Sequence, residues 1–247
     1  MNKVNILGVY VDKLDIKEAS DKIIDYLKNG ERKKCVYTPN SEIIMMAYKD
    51  KAFLEILNNA DILTADGIGV VYASKILSNP INSRAAGYDV ACEVLRKGAS
   101  LNKSVYLFGA KPGVADIAAQ NIIKSYPGIQ IAGTSDGYFD EEKEKKIIED
   151  INNKKPDILF VCLGAPKQEK WIAEHKDELD FGVCMGIGGS LDVFAGTVKR
   201  APVFYQKFGI EWLYRFAKQP SRVGRMLELP RFGFTVLLKG KRYKQER

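Results

Sequence analysis

Short apolar runs alternate with longer amphipathic segments along the first three quarters of this 247-residue chain. Runs typical of β-strands occur at residues 4–9, 34–38, 62–65, 104–109, 129–134, 157–164 and 181–186. Between them, the helical spacing of apolar residues predicts helices at 15–28, 41–49, 50–59, 67–76, 86–96, 112–125, 141–154 and 166–175, with Asn40 or Ser41 as the cap of the second. This alternation predicts an α/β fold with a Rossmann-like, mostly parallel sheet and helices on both of its faces.

The positive charge of the chain is concentrated near its C-terminal end. Residues 199–247 contain 13 Lys or Arg and 3 Asp or Glu, whereas residues 1–198 contain 25 and 28. The formal net charge of +7 therefore comes from the last fifth of the sequence. We expect an α/β domain over residues 1–198 and a basic helical appendage over 199–247, with amphipathic helices at 203–217, around 222–229 and around 232–239.

Aromatic side chains are interleaved with the cations of the appendage. They are Phe204, Tyr205, Phe208, Trp212, Tyr214, Phe216, Phe232 and Phe234. A basic and aromatic surface suits a partner that is both anionic and apolar, so we favour a membrane surface over nucleic acid. Arg215, Arg222 and Arg225 could bind phosphate, because guanidinium groups match its geometry. The alternative is an amphipathic helix that packs on the body and keeps its basic face in water.

The sequence lacks the signals of export and of metal binding. Residues 1–12 contain no apolar core of a signal peptide, and no stretch approaches the ~20 apolar residues of a membrane span. We therefore expect a cytoplasmic protein that is at most peripheral on the membrane. The cysteines show no Cys-x-x-Cys spacing and are expected to be free thiols without a metal; they are Cys35, Cys92, Cys162 and Cys184. His175, the only histidine, is expected to be exposed.

Three glycine-containing turns follow predicted strands. Their candidate ligand-binding residues are Gly109, Lys111 and Gly113 in the first turn, Lys167 and Gln168 in the second, and Gly188 and Gly189 in the third. Amides in such turns bind phosphate, and turns on neighbouring strands suit a diphosphate. The dinucleotide fingerprint G-x-G-x-x-G is absent from these turns. Tight turns and helix caps without a ligand are the alternative interpretation.

Polar side chains also follow two of the predicted strands. Thr38 and Asn40 come after one strand and Asp66 after the next. The carboxyl ends of parallel strands meet at one edge, so these groups are expected to lie together. Desolvation could raise the pKa of Asp66 and suit it as a general base, although a helix N-cap is an equally good interpretation. Arg84 is either a plain surface residue or a ligand for an acceptor phosphate.

Six motifs resemble those of the TagA/WecG/CpsF glycosyltransferases, glycosyltransferase family 26, and occur in the family's order. They are Thr38-Pro-Asn-Ser-Glu42, Ala65-Asp-Gly-Ile-Gly69, Phe108-Gly-Ala-Lys-Pro-Gly113, Gly164-Ala-Pro-Lys-Gln-Glu169 with Trp171, Gly186-Ile-Gly-Gly-Ser-Leu-Asp-Val-Phe-Ala-Gly-Thr-Val-Lys-Arg-Ala-Pro202, and Glu211-Trp-Leu-Tyr-Arg-Phe-Ala-Lys-Gln-Pro-Ser-Arg222. Pro39 is a mild departure that could alter the first motif's loop.

The resemblance implies an inverting sugar transferase with a UDP-sugar donor, most simply UDP-N-acetylmannosamine. It implies N-acetylglucosamine on undecaprenyl diphosphate as acceptor, and a β-linked lipid disaccharide for wall teichoic acid or a related polymer as product. In the family the residue matching Asp66 is the proposed general base, and those matching Thr38 and Asn40 line its pocket. Gln168, Gly188 and Asp192 would hold the donor, and the appendage would be a lid that joins membrane and active site.

Three further possibilities stay open at this point. The donor could be the uronic acid of N-acetylmannosamine or another UDP-hexose. An NAD-linked oxidoreductase fits the alternation but not the missing fingerprint, and a membrane or nucleic-acid binding module would use only the basic appendage. No Asp-x-Asp pair occurs in the sequence, so neither a metal nor another cofactor is expected, and basic groups and amides would neutralise the leaving group. A homo-oligomer is also left open.

Overall fold

The chain begins with a β-hairpin instead of the single strand predicted for residues 4–9. A computed structural model describes residues 3–202, 205, 214 and 223–244, and only the backbone of 223–227 and 244. Strands β1 (Lys3–Ile6) and β2 (Val9–Asp12) pair in antiparallel fashion. The prediction was wrong because Leu7 and Gly8 reverse the chain, with φ of 54° and 97°. Leu7 is uncommon at positive φ, so the apolar run concealed the turn.

Six parallel strands form the main sheet, which confirms the predicted fold class. They are β3 (Lys34–Tyr37), β4 (Ile62–Leu63), β5 (Ser104–Gly109), β6 (Gln130–Ser135), β7 (Ile158–Cys162) and β8 (Val183–Gly186). Their spatial order is β4-β3-β8-β7-β5-β6. The last strand of the chain is therefore inserted between strands from the two halves of the sequence, and the ends of β3, β8 and β7 lie side by side.

Helices connect the strands as the apolar spacing predicts. They are α1 (Ile16–Lys28), α2 (Ser41–Lys49), α3 (Lys51–Asn58), α4 (Ile68–Ile76), α5 (Gly87–Ala99), α6 (Val114–Ser125), α7 (Glu141–Lys154), α8 (Lys167–His175) and α9 (Ser190–Phe194). Asn40, not Ser41, caps α2 by accepting a hydrogen bond from the Ile43 amide at 3.0 Å. Asp50 caps α3 in the same way, so the chain bends sharply between two adjacent helices.

Each face of the sheet is covered by its own hydrophobic core. In β5, Tyr106 and Phe108 point into one core, while Val105 and Leu107 point into the other. All four side chains are fully buried, as the two-residue period of a strand in a covered sheet requires. The prediction of helices on both faces is confirmed.

The helices that follow neighbouring strands lie on opposite faces at β8. The apolar side chains of α2 and α8, after β3 and β7, belong to one core, and those of α9, after β8, belong to the other. Chains that leave adjacent strand ends in opposite directions open a crevice between them. Ligands of open α/β sheets bind in such crevices. The fold therefore places the candidate site at the carboxyl end of β8.

A single helix spans Val223–Lys239, where two helices were predicted, and a 3₁₀ turn over Gly240–Lys244 follows it. The prediction was wrong because Pro230 does not end the helix: the buried Phe232 and Val236 continue its contact with the body beyond the proline. The C-terminal helix lies against α2 and α4. The predicted helix at 203–217 lies outside the described residues, except that the Tyr205 and Tyr214 ring centroids are 5.4 Å apart.

Candidate functional site

The ends of β3 and β8 are tied together by Thr38. Its hydroxyl donates a hydrogen bond to the Gly186 carbonyl oxygen at 3.3 Å, and the side chain is 7% exposed. The first residue of α5, Gly87, packs on the same threonine, since a Cβ atom there would lie 2.7 Å from its hydroxyl oxygen. Thr38 thus joins two strands and one helix at the floor of the crevice.

Asp66 lies beside this junction. Its amide donates a hydrogen bond to the Pro39 carbonyl at 3.1 Å, and its carboxylate accepts one from the Gly87 amide at 3.3 Å. The next helix, α4, has Gly67 as its cap and no capping side chain. Asp66 therefore does not cap the helix that follows it, as one interpretation proposed, but faces the first amide of α5. That position favours an ionised carboxylate, which is the form that accepts a proton.

Arg84 and Asn40 lie on the two sides of Asp66. The residue after Arg84, Ala85, donates its amide to the Ala65 carbonyl at 2.9 Å, so the Arg84 backbone lies beside the end of β4. Asn40 is half-buried and uses its side-chain oxygen to cap α2. The structure therefore brings Thr38, Asn40, Asp66 and Arg84 to one region, as predicted from the sequence.

The glycine turn after β8 is supported from below by Gln168. The Gly188 amide, at a φ of 55°, donates a hydrogen bond to the Gln168 side-chain oxygen at 3.0 Å. Gln168 is 2% exposed, and a Cβ atom at Gly186 would lie 3.1 Å from its side-chain nitrogen. Gln168 consequently contacts the turn itself, and a ligand would sense it through Gly188.

A cavity of about 610 Å³ adjoins this turn and contains three residues predicted from the sequence, Lys111, Lys167 and Asp192. The Lys167 ammonium lies 4.3 Å from the centroid of the Phe139 ring. The backbone loop at Gly109 is tightly packed, because a Cβ atom there would lie 2.4 Å from the Cys162 carbonyl oxygen. Gly113 begins α6 in the left-handed conformation, with a φ of 80°. The cavity places two cations and a carboxylate beside the glycine turns.

Sequence reasoning missed part of this cavity. The loop after β6 contributes Gly137, Tyr138 and Phe139, and Tyr138 is 61% exposed. The signal was present, because a glycine and two aromatic residues follow a predicted strand directly. Glu169 was also missed as a candidate: it is 1% exposed, and burial raises the pKa of its carboxyl group.

Two expectations about titratable groups have opposite outcomes. Cys35, Cys162 and Cys184 are buried free thiols, as predicted, and burial raises the pKa of Cys35 to about 11. The expectation that His175 is exposed was wrong, since its side chain is only 12% exposed. Trp171, one turn earlier on α8, covers it with ring centroids 4.9 Å apart. His175 lies on the opposite end of α8 from the glycine turn.

Two of the three arginines predicted to bind phosphate, Arg215 and Arg222, lie outside the described residues. Arg225 belongs to the C-terminal helix by its backbone, and its side chain lies outside the described part. Gly189 completes the glycine turn and precedes α9. No helix in the described ranges is long and apolar enough to cross a membrane.

Comparison with known proteins identifies the relatives of this chain. The sequence model of the "Glycosyl transferase WecG/TagA/CpsF family" matches residues 4–246. An N-acetylglucosaminyldiphosphoundecaprenol N-acetyl-beta-D-mannosaminyltransferase of Bacillus spizizenii is 40% identical over 202 residues, 82% of this chain and 78% of the relative. The protein of the same name from Staphylococcus aureus strain MW2 is 37% identical over 235 residues, 95% of this chain and 92% of the relative.

Proposed function

Because the chain belongs to the WecG/TagA/CpsF glycosyl transferase family, we propose that it transfers N-acetylmannosamine from UDP-N-acetylmannosamine to N-acetylglucosamine on undecaprenyl diphosphate. The names of two relatives, at 40% and 37% identity, describe transfer of this sugar to this lipid-linked acceptor. The product would be a β-linked lipid disaccharide that serves wall teichoic acid or a related surface polymer.

The position of Asp66 is the observation that carries this proposal. Its carboxylate lies where the end of β3, the start of α5 and the Arg84 loop meet. In the proposed reaction Asp66 takes the proton of the acceptor hydroxyl, and that oxygen forms a bond with the anomeric carbon of the donor. The bond from that carbon to the UDP oxygen breaks in the same displacement, and its electron pair leaves with UDP. One displacement inverts the anomeric centre.

The glycine turns and the adjoining cavity would hold the donor. Lys111 and Lys167 line the cavity and supply positive charge for the UDP diphosphate. Asp192, on the other wall, would accept hydrogen bonds from sugar hydroxyl groups. Gly109, Gly113, Gly188 and Gly189 keep the backbone accessible to phosphate, while Thr38 and Asn40 would position the sugars next to Asp66.

The C-terminal helix would bring the enzyme to its lipid acceptor. Its buried side keeps Phe232 and Val236 on the body, whereas Phe234, Leu237 and Leu238 are 67%, 57% and 77% exposed. Exposed apolar side chains on a basic segment suit peripheral binding to the inner face of an anionic membrane. Arg84, with Arg215, Arg222 and Arg225, would bind the acceptor diphosphate there.

The experiment is acceptor-dependent UDP release with a short-chain lipid-diphosphate N-acetylglucosamine. UDP-N-acetylmannosamine, its uronic acid and UDP-N-acetylglucosamine are compared, with and without chelator. We expect release from the first donor, at least 100-fold slower in Asp66→Asn, on the order of a lost general base. Asp140→Asn is the matched control, because Asp140 caps α7 away from the crevice and asparagine caps equally well. Unchanged turnover in Asp66→Asn would contradict the assignment of the base, and a preference for the uronic acid would replace the donor.

A further inference from the structure

Two consecutive polar residues are buried behind the glycine turn that follows β8. Gln168 and Glu169 are 2% and 1% exposed. The Gln168 side-chain nitrogen donates a hydrogen bond to Glu169 Oε1 at 2.8 Å, and its side-chain oxygen accepts one from the Gly188 amide at 3.0 Å. A continuous path of hydrogen bonds therefore runs from Glu169 through Gln168 to Gly188.

Glu169 is an expensive residue to bury at this place. Its Oε2 has no hydrogen-bond partner within the described ranges, and no ion pair joins Glu169 to another described residue. Desolvation raises the pKa of Glu169 and favours the neutral acid. A buried polar atom without a partner lowers stability, so its presence needs an explanation beyond the stability of the fold.

The explanation lies in the two different ends of the Gln168 amide. Only its oxygen can accept the hydrogen bond from Gly188, and its nitrogen then needs an acceptor of its own. Glu169 Oε1 is that acceptor. If the amide turned over, its nitrogen would face the Gly188 N–H group, and two donors would meet. Glu169 thereby selects the orientation of Gln168 in which Gly188 is bonded.

We propose that Glu169 is a positioning residue for the donor diphosphate: it fixes the Gln168 amide, and Gln168 holds Gly188 and the shape of the glycine turn. The inference rests on the proposed function, which assigns this turn to the UDP-sugar. Gly188 has a φ of 55°, in the left-handed region, so a hydrogen bond that holds it there also fixes the direction of the neighbouring amides. Glu169 itself touches neither donor nor acceptor.

The test is a double-mutant cycle in the full chain. Glu169→Met removes the acceptor oxygen but keeps an unbranched side chain, Glu169→Gln keeps an oxygen and stays neutral, and Gln168→Met removes the connecting amide. UDP affinity is measured by calorimetry, and KM is measured separately for donor and acceptor. Glu144→Met is the control, because the Glu144 carboxylate accepts a hydrogen bond at 2.7 Å from Trp171 on the same helix but away from the turn.

We expect Glu169→Met to raise the UDP Kd and the donor KM about tenfold, the effect of one buried donor left without its partner. The acceptor KM stays unchanged, Glu169→Gln and Glu144→Met stay within about twofold, and Glu169→Met has no further effect in the Gln168→Met background. The proposal is overturned if folded Glu169→Met binds UDP like the wild type, or if its effect is the same in both backgrounds.

Hydrogen exchange of the Gly188 amide in the ligand-free protein separates the two proposals. It should be slow in the wild type and in Glu169→Gln, and faster in Gln168→Met. If Glu169→Met does not fold, rapid exchange of Gly188 in Glu169→Gln overturns the role of Glu169, and slow exchange supports it. A wild-type protein that fails to bind UDP contradicts the proposed function, while the exchange rates still report on the positioning of Gly188.

Discussion

The contact between Gly87 and Thr38 predicts a steric coupling at the floor of the crevice. A Cβ atom at Gly87 would lie 2.7 Å from the Thr38 hydroxyl oxygen and 3.1 Å from its methyl carbon. Gly87 does not have a positive φ, so alanine at this position is not strained by the backbone. Gly87→Ala therefore changes the packing against Thr38 and little else.

The expected magnitude follows from two opposing terms. Alanine in place of glycine favours a helix by up to ~1 kcal/mol, whereas overpacking of a filled site costs ~1–3 kcal/mol. A net loss of about 1–2 kcal/mol corresponds to a decrease in Tm of about 2–8 °C for a chain of this size. Thr38→Ala alone loses the hydrogen bond to Gly186, worth about 1 kcal/mol. In the double variant the hydroxyl and methyl groups are gone, so the two losses should fall short of their sum by about 1–2 kcal/mol.

Thermal unfolding of the wild type, the two single variants and the double variant measures this coupling. Gly233→Ala is the control, since no heavy atom lies within 4 Å of a Cβ at that helical position, and its Tm should stay equal or rise. Gly87→Ala should also slow UDP release, because the Gly87 amide is the donor to Asp66. Additive losses in the double variant, or a Tm of Gly87→Ala above that of the wild type, would refute the steric argument.

Three more predictions concern groups outside the catalytic carboxylate. Burial raises the pKa of Glu169 above its ordinary value of 4.5, so the neutral side chain costs nothing below that pH and stability is lost as pH rises through the folded-state pKa; the Tm of Glu169→Gln minus that of the wild type should grow from pH 4 to pH 8, and a constant difference contradicts the shift. Arg200 makes a two-pronged ion pair with Asp89 and lies 5.0 Å from the Tyr88 ring centroid, so Arg200→Lys should lower the free energy of unfolding by about 1 kcal/mol, measured in urea. Cys92 is the half-buried thiol among four, and it should react first with a thiol reagent under native conditions, as peptide mapping would show.

Local features of the fold were predictable because they depend on neighbouring residues. The predicted bounds of β5 and α7, residues 104–109 and 141–154, agree with the structure. The hairpin turn at Leu7 and Gly8 was missed because the turn lies within an apolar run. The helix that continues through Pro230 was missed because contacts with distant helices, not the local sequence, maintain it.

The candidate site divides in the same way. Residues placed at the ends of strands, such as Thr38 and Asp66, were predictable because parallel strands end at one edge. The partner of the Asp66 carboxylate was not, because the Gly87 amide reaches it from a helix 21 positions later in the chain. Glu169 was not singled out either, since a charged residue in a helix gives no local sign that it is 1% exposed.

The sequence by itself determined the alternation of strands and helices, the separation of a basic C-terminal segment, and the family to which the chain belongs. These are encoded in residues close together or in short motifs. Only the tertiary structure decided that β8 lies between β3 and β7, and with it the crevice where the site forms. Pairing between strands that are about 150 residues apart depends on how two covered faces fill simultaneously, and no local periodicity contains that information.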